Sequence, residues 1–126
     1  MTKNSQVQRP RAAIQRFGFA DIAAATEPLF DVPAGAIVTR GSLVIVTPFG
    51  SSRTFDVGDA TDPNRYTASP IDGNTAARTA LTLTGYKHTA TEVLNLVRAA
   101  GDAPTEGEGY VELEYIVEGA MDSVQG

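Results

Sequence analysis

The stretch Tyr110-Val111-Glu112-Leu113-Glu114-Tyr115-Ile116-Val117-Glu118 constrains the chain most. It places Val111, Leu113, Tyr115 and Val117 on one face and Tyr110, Glu112, Glu114, Ile116 and Glu118 on the other, between Gly109 and Gly119. Period-2 alternation over this length is the signature of a strand with one wet face. A one-residue slip would bury three glutamates, so the register is fixed. Ile116 interrupts the acidic face and is a candidate contact with a neighbouring subunit.

A second stretch supplies the centre of the sheet. Val32-Pro33-Ala34-Gly35 is a turn, because Pro33 fixes its own φ and Gly35 tolerates a positive one. The β-rich run to Thr47 follows, and Leu43 to Val46 is apolar at every position, as in a strand covered on both faces. Gly41 reads as a bulge or kink where the face pattern slips. Around these lie shorter extended pieces: Ile14 to Ala20, with Phe17 and Phe19 on one face; Leu29 to Val32; Arg53 to Val57, read as the return arm of a hairpin; Arg65 to Ala68; and Ala80 to Tyr86. Residues 69–80 are small and turn-rich and are expected at the surface. Seven or eight short strands separated by turns predict an all-β fold, an antiparallel, jelly-roll-like β-sandwich.

One segment is ambiguous. Thr89 with Glu92 matches a capping box, Val93, Leu94, Leu96 and Val97 fit a helical face, and Gly101 is placed as a C-cap. The same residues 92–98 also alternate as a strand covered on both sides. Periodicity does not choose between them.

A chain of 126 residues supports one core. The domain plan is a basic extended arm over residues 1–16 and a single sandwich over 17–126. The arm carries Lys3, Arg9, Arg11 and Arg16 and no acid, a charge of +4, whereas the remainder has six basic and fifteen acidic residues. Such an arm suits an acidic neighbour, including another copy of the chain, and Lys3, Arg9 and Arg11 are the candidate intersubunit or capsid contacts. A nucleic-acid partner is not expected: four cations without interleaved aromatics make a poor footprint, and the acidic body repels phosphate. No run approaches the ~20 apolar residues of a membrane helix, and the polar N-terminus does not read as a secretory signal, so synthesis in the cytosol is expected.

Chemistry-bearing residues are few. With no cysteine and only His88, neither a catalytic triad nor a zinc site assembles, and no catalytic residue, metal or other cofactor is expected. Asp56, Asp59 and Asp62, with Asn64, are spaced like calcium ligands, but such a site takes about six to eight oxygens and the bidentate glutamate is missing. Aspartates at those spacings also make turns. Glu112, Glu114 and Glu118 are the wet side of a sheet rather than a glycosidase pair, and the five phenylalanines are core.

Several segments, taken together, resemble a known family. Val32 to Val38, Asp56-Val57-Gly58-Asp59, Asp62-Pro63-Asn64-Arg65-Tyr66, Thr84-Gly85-Tyr86-Lys87, Ala103-Pro104-Thr105-Glu106-Gly107-Glu108-Gly109 and Glu114 to Gly119 look, in that order and spacing, like small virion structural proteins of tailed bacteriophages. These are commonly β-sandwich capsid decoration or cement proteins. The resemblance covers residues 17–126 and implies that the segment 92–98 is a strand paired with the last one. It also implies a non-enzymatic role on the capsid exterior, with the major capsid protein and further copies of itself, as a homotrimer, for partners. The basic arm has no counterpart in that pattern. Other virion locations, a tail or a head-fibre base, and a surface carbohydrate-binding module are the alternatives, the last weakened by the lack of tryptophan.

Overall fold

A computed structural model describes residues 9–50 and 52–117. Eight strands follow one another: β1 (Arg11–Gly18), β2 (Thr26–Val32), β3 (Ala36–Thr47), β4 (Thr54–Gly58), β5 (Ile71–Asp72), β6 (Ala77–Ala80), β7 (Glu92–Ala100) and β8 (Glu108–Val117). They form two four-stranded antiparallel sheets, in the orders β1-β8-β3-β6 and β2-β7-β4-β5. This is the eight-stranded jelly roll, in which the chain crosses repeatedly between the sheets instead of pairing each strand with the next. The all-β sandwich read from the sequence is what the chain forms.

The alternating strand lies where its pattern requires. β8 is flanked by β1 and β3, with Val111 and Leu113 buried and Val117 6 % exposed, while Glu112 and Glu114 face outward. Across the sandwich, β7 resolves the ambiguity over residues 92–98 as a strand whose Leu94 and Leu96 are completely buried. Its partners are β2 and β4, in the opposite sheet from β8, so it faces the last strand across the core rather than pairing with it. The helix signals fail because a helix would withdraw the two leucines from the inter-sheet layer. Gly35, at φ 90°, turns the chain into β3 and donates its N–H to the His88 carbonyl at 2.7 Å.

Other expectations are corrected. β1 begins at Arg11, so the last six residues of the predicted arm are a strand paired with β8. β4 is no hairpin return of β3, since it joins β7 and β5 in the other sheet. Gly41 is not the bulge: the register slips between Val38 and Arg40 and between Ile45 and Thr47, and Gly41 instead gives Leu81 room to pack against the sheet. Only Leu43 and Ile45 of the apolar run are buried, and Val46 is 45 % exposed. Residues 65–68 are not a strand but the end of a turn over 63–66 and the bend after it, and the piece expected over 80–86 ends as a strand at Ala80, with Leu81 buried and Leu83 at the surface. Ile71, in a segment read as surface, anchors β5 in the core. Phe17, Phe49 and Phe55 meet at one end of that core, with ring centroids 5.2 to 6.1 Å apart.

Candidate functional sites: a buried polar cluster and the outer sheet face

The loop that leaves β4 folds back over the other end of the sandwich and buries an ion pair. Asp59 accepts the N–H groups of Thr61 and Asp62 on Oδ1, at 3.0 and 2.8 Å, and Arg65 Nε on Oδ2 at 2.6 Å. The Arg65 guanidinium lies 3.5 Å from the Tyr86 ring centre. Burial alone raises the Asp59 pKa, but the hydrogen bonds from Arg65 and the two amides, with the arginine charge, outweigh it and leave the carboxyl below its ordinary range. The Arg65 guanidinium is raised in turn, first by its bond to Asp59.

His88 sits beside this pair with no exposed surface. Its Nε2 is 2.7 Å from the Tyr66 hydroxyl, its Nδ1 is 2.6 Å from Glu92 Oε1, and Asp59 Oδ2 is 3.9 Å away. Burial pushes the Tyr66 phenol up to about 12, so it keeps its proton. The arrangement that satisfies all three groups has Tyr66 donating to Nε2 and Nδ1–H donating to Glu92. Main-chain bonds lock the histidine: its N–H donates to the Ala36 carbonyl and its own carbonyl accepts from Gly35. The cluster therefore ties the β4 loop, the start of β3 and the start of β7 together.

A phenol, an imidazole and a carboxylate in line resemble a proton relay, but Tyr66 is 2 % exposed and presents nothing to a substrate. Asp59, His88 and Glu92 each bring a ligand atom within 4.8 Å of the others. Arg65 already supplies the positive charge against Asp59, and the histidine nitrogens face Tyr66 and Glu92, so a cation would have to displace these partners. The calcium-like spacing of Asp56, Asp59 and Asp62 dissolves similarly: Asp59 turns inward to Arg65, and Asp56 accepts the Thr67 hydroxyl at 2.7 Å.

The lowered Asp59 pKa carries a definite sign. The stability that it contributes is complete above the unfolded value of about 3.9 and is lost as pH falls through the lower folded value. Urea midpoints measured from about pH 6 down to about pH 2 are expected to fall less steeply for Asp59→Asn than for the wild type, from a lower starting stability. Parallel slopes would show that another group controls the acid limb.

The outer face of the β1-β8-β3-β6 sheet is a different environment. Ile14, Arg40, Ser42, Ala80, Leu83 and Glu114 help to line a concavity of about 830 Å³. Ile14 is 56 % exposed, Arg78 pairs with Glu112, and the Arg16 guanidinium stands 5.4 Å from the Tyr110 ring centre. Of the contact residues expected from the sequence, Lys3 lies outside the described residues, and so does Glu118 of the acidic face. Arg9 is exposed just before β1, and Arg11, also exposed, opens that strand opposite Tyr115. Ile116 is half-buried opposite Ile37, which bridges to Lys87. Arg11 and Ile116 thus share one end of one sheet, one register position apart.

The buried cluster has only weak sequence signals. Glu92, four residues after His88, reads locally as the partner of Thr89, and the Asp59 to Arg65 spacing means something only once the loop folds back.

No protein-family model matches the chain, and no curated protein does. Its fold recurs in solved phage capsids. A chain of the acidic stable capsid structure of Helicobacter pylori bacteriophage KHP30 superposes with a TM-score of 0.73 at 18 % identity, over 97 % of this chain and 98 % of that one. A chain of the cyanophage Pam1 capsid asymmetric unit gives 0.65 at 19 % identity, over 93 % and 91 %. A chain of the capsid of Ralstonia phage GP4 gives 0.68 at 17 % identity, over 95 % and 92 %.

Proposed function

We propose that this chain is a structural component of a phage capsid, and that it decorates the outside of the shell as a cement protein holding major capsid subunits together. The observation that carries the reading is end-to-end likeness to chains of three phage capsids, with neither partner left with a large unmatched domain. The buried cluster fits a binding protein rather than an enzyme, since its titratable groups are spent on one another. A homotrimer suits a small domain placed at a three-fold, where a closed ring satisfies the same patch on every copy. Modest contacts per copy then act together through effective concentration. Lys3, Arg9, Arg11 and Ile116 are the proposed contacts to the shell or to the neighbouring copy, and neither nucleic acid nor membrane is a proposed partner.

Quantitative mass spectrometry of purified particles tests the location. A copy number that scales with the major capsid protein is expected, and a handful of copies per particle would place the chain at a tail or vertex instead. Light scattering on the full chain and on one lacking residues 1–9, which leaves β1 whole, tests the trimer. Loss of the trimer on truncation would identify the basic segment as an intersubunit strap. A monomer in both would mean that any three-fold order is imposed by the shell.

A further inference from the structure

Three of the four sheet edges are blunted in the ways that natural sheets use to avoid stray pairing. β2 carries Pro28 and a register break between Pro28 and Phe30, β5 has two residues, and β6 has four. β1 differs. It runs eight residues in unbroken register with β8, contains no proline, and no strand among the described residues pairs with its other side.

The parity of that free side can be read from its end. Phe19 N–H donates to Gly107 O at 3.1 Å, continuing the β1–β8 ladder, whereas Gly18 N–H turns the other way to Asp21 Oδ2 at 2.7 Å. In an antiparallel pair, a residue's N–H and C=O point to the same side and successive residues alternate. Ala12, Ile14 and Arg16 therefore aim their backbone groups outward, and the Arg16 carbonyl accepts its own neighbour, Gln15 Nε2, at 3.0 Å. Along this edge stand Arg11 and Arg16 with no acid in the strand, and Ile14 is 56 % exposed.

We infer that the β1 edge is a strand-addition site, taking an extended acidic segment of the neighbouring shell subunit as a ninth strand of the sandwich. Main-chain bonds to Ala12 and Ile14 supply the affinity, and side chains supply the choice. Ile14 and Arg16 lie on one face, so the incoming strand carries an apolar residue opposite Ile14 and a carboxylate two positions away opposite Arg16. A second copy offering its own β1 would set arginines along both sides of the new seam without a carboxylate, which favours a foreign, acidic segment. The inference rests on the capsid reading above.

Amide hydrogen exchange of the full-length protein, free and bound to shells of its major capsid protein, tests it at residue resolution. Ala12 and Ile14 should exchange quickly in the free protein and about tenfold or more slowly when bound, while Ala13 and Gln15 are protected in both states. Bound protein with Ala12 and Ile14 still exchanging quickly would overturn the edge and leave the capsid reading standing. Wild-type protein that does not bind shells would overturn both. Ile14→Pro removes only an outward N–H, which an edge strand tolerates. It should bind shells about tenfold or more weakly with its melting transition kept, and equal binding by the folded variant would also overturn the edge. If that variant does not fold, wild-type exchange alone decides.

Discussion

Replacing Asp59 by alanine is expected to cost about 3 to 5 kcal/mol, because it leaves a largely buried guanidinium with no counter-charge. The side chains of Asp59 and Arg65 are 0 % and 12 % exposed, so little water is available to replace the carboxylate. The same oxygens hold the Thr61 and Asp62 amides, and the loop over His88 loses its anchor with them. At this chain length the loss corresponds to a fall in melting temperature of about 10 to 20 °C. Adding Arg65→Met to the alanine variant should restore part of it, since removing both charges also removes the unpaired one. Thermal unfolding of the wild type, both singles and the double gives the coupling directly. An Asp59→Ala variant within about 1 kcal/mol of the wild type would mean that the pair does not hold the loop.

How much of this was legible beforehand differs between elements for physical reasons. β8 could be read because burial on one face leaves a period-2 imprint that few other structures produce, and the central β3 because a β-rich apolar run follows a proline-glycine turn. The course of the chain between sheets could not, since hairpin and crossover connections use the same turn residues. β4 is the example: its strand was visible and its sheet was not. β7 shows local and tertiary preferences in conflict, with a capping box overruled by two leucines that the inter-sheet layer requires. The polar cluster was the least accessible. Asp59 and Tyr66 come from the loop after β4 and His88 from the segment before β7, and a residue's partner 22 positions away leaves no trace in local spacing. The contact residues stand midway. Charge singled out Arg9 and Arg11, but only the β1–β8 register places Arg11 on an open edge, opposite Tyr115 and therefore on the other face of the sheet from Ile116.

The other large effect is expected at the opposite end of the core. Phe49 has no exposed surface, stacks on Phe17 at 5.6 Å and meets Phe55 edge-on at 5.2 Å. It lies just after β3, where its N–H donates to the Gly73 carbonyl and its ring covers Gly107, so one side chain ties together the segments that close this end. Phe49→Ala is therefore expected to lower stability by about 3 to 5 kcal/mol, through lost burial and the cavity left behind. Rings held by one another cannot all move in to fill it without giving up their own contacts. Phe19→Ala provides the contrast: with 43 % of its surface already exposed, it should change stability by no more than about 0.5 kcal/mol. Urea midpoints at constant m-value measure both. Equal, small losses would show that the three rings do not form a packed unit. A large loss at Phe19 would be informative in another way, because that residue lies one position beyond β1, and its apolar side chain would then be covered in solution by something that a single copy does not provide.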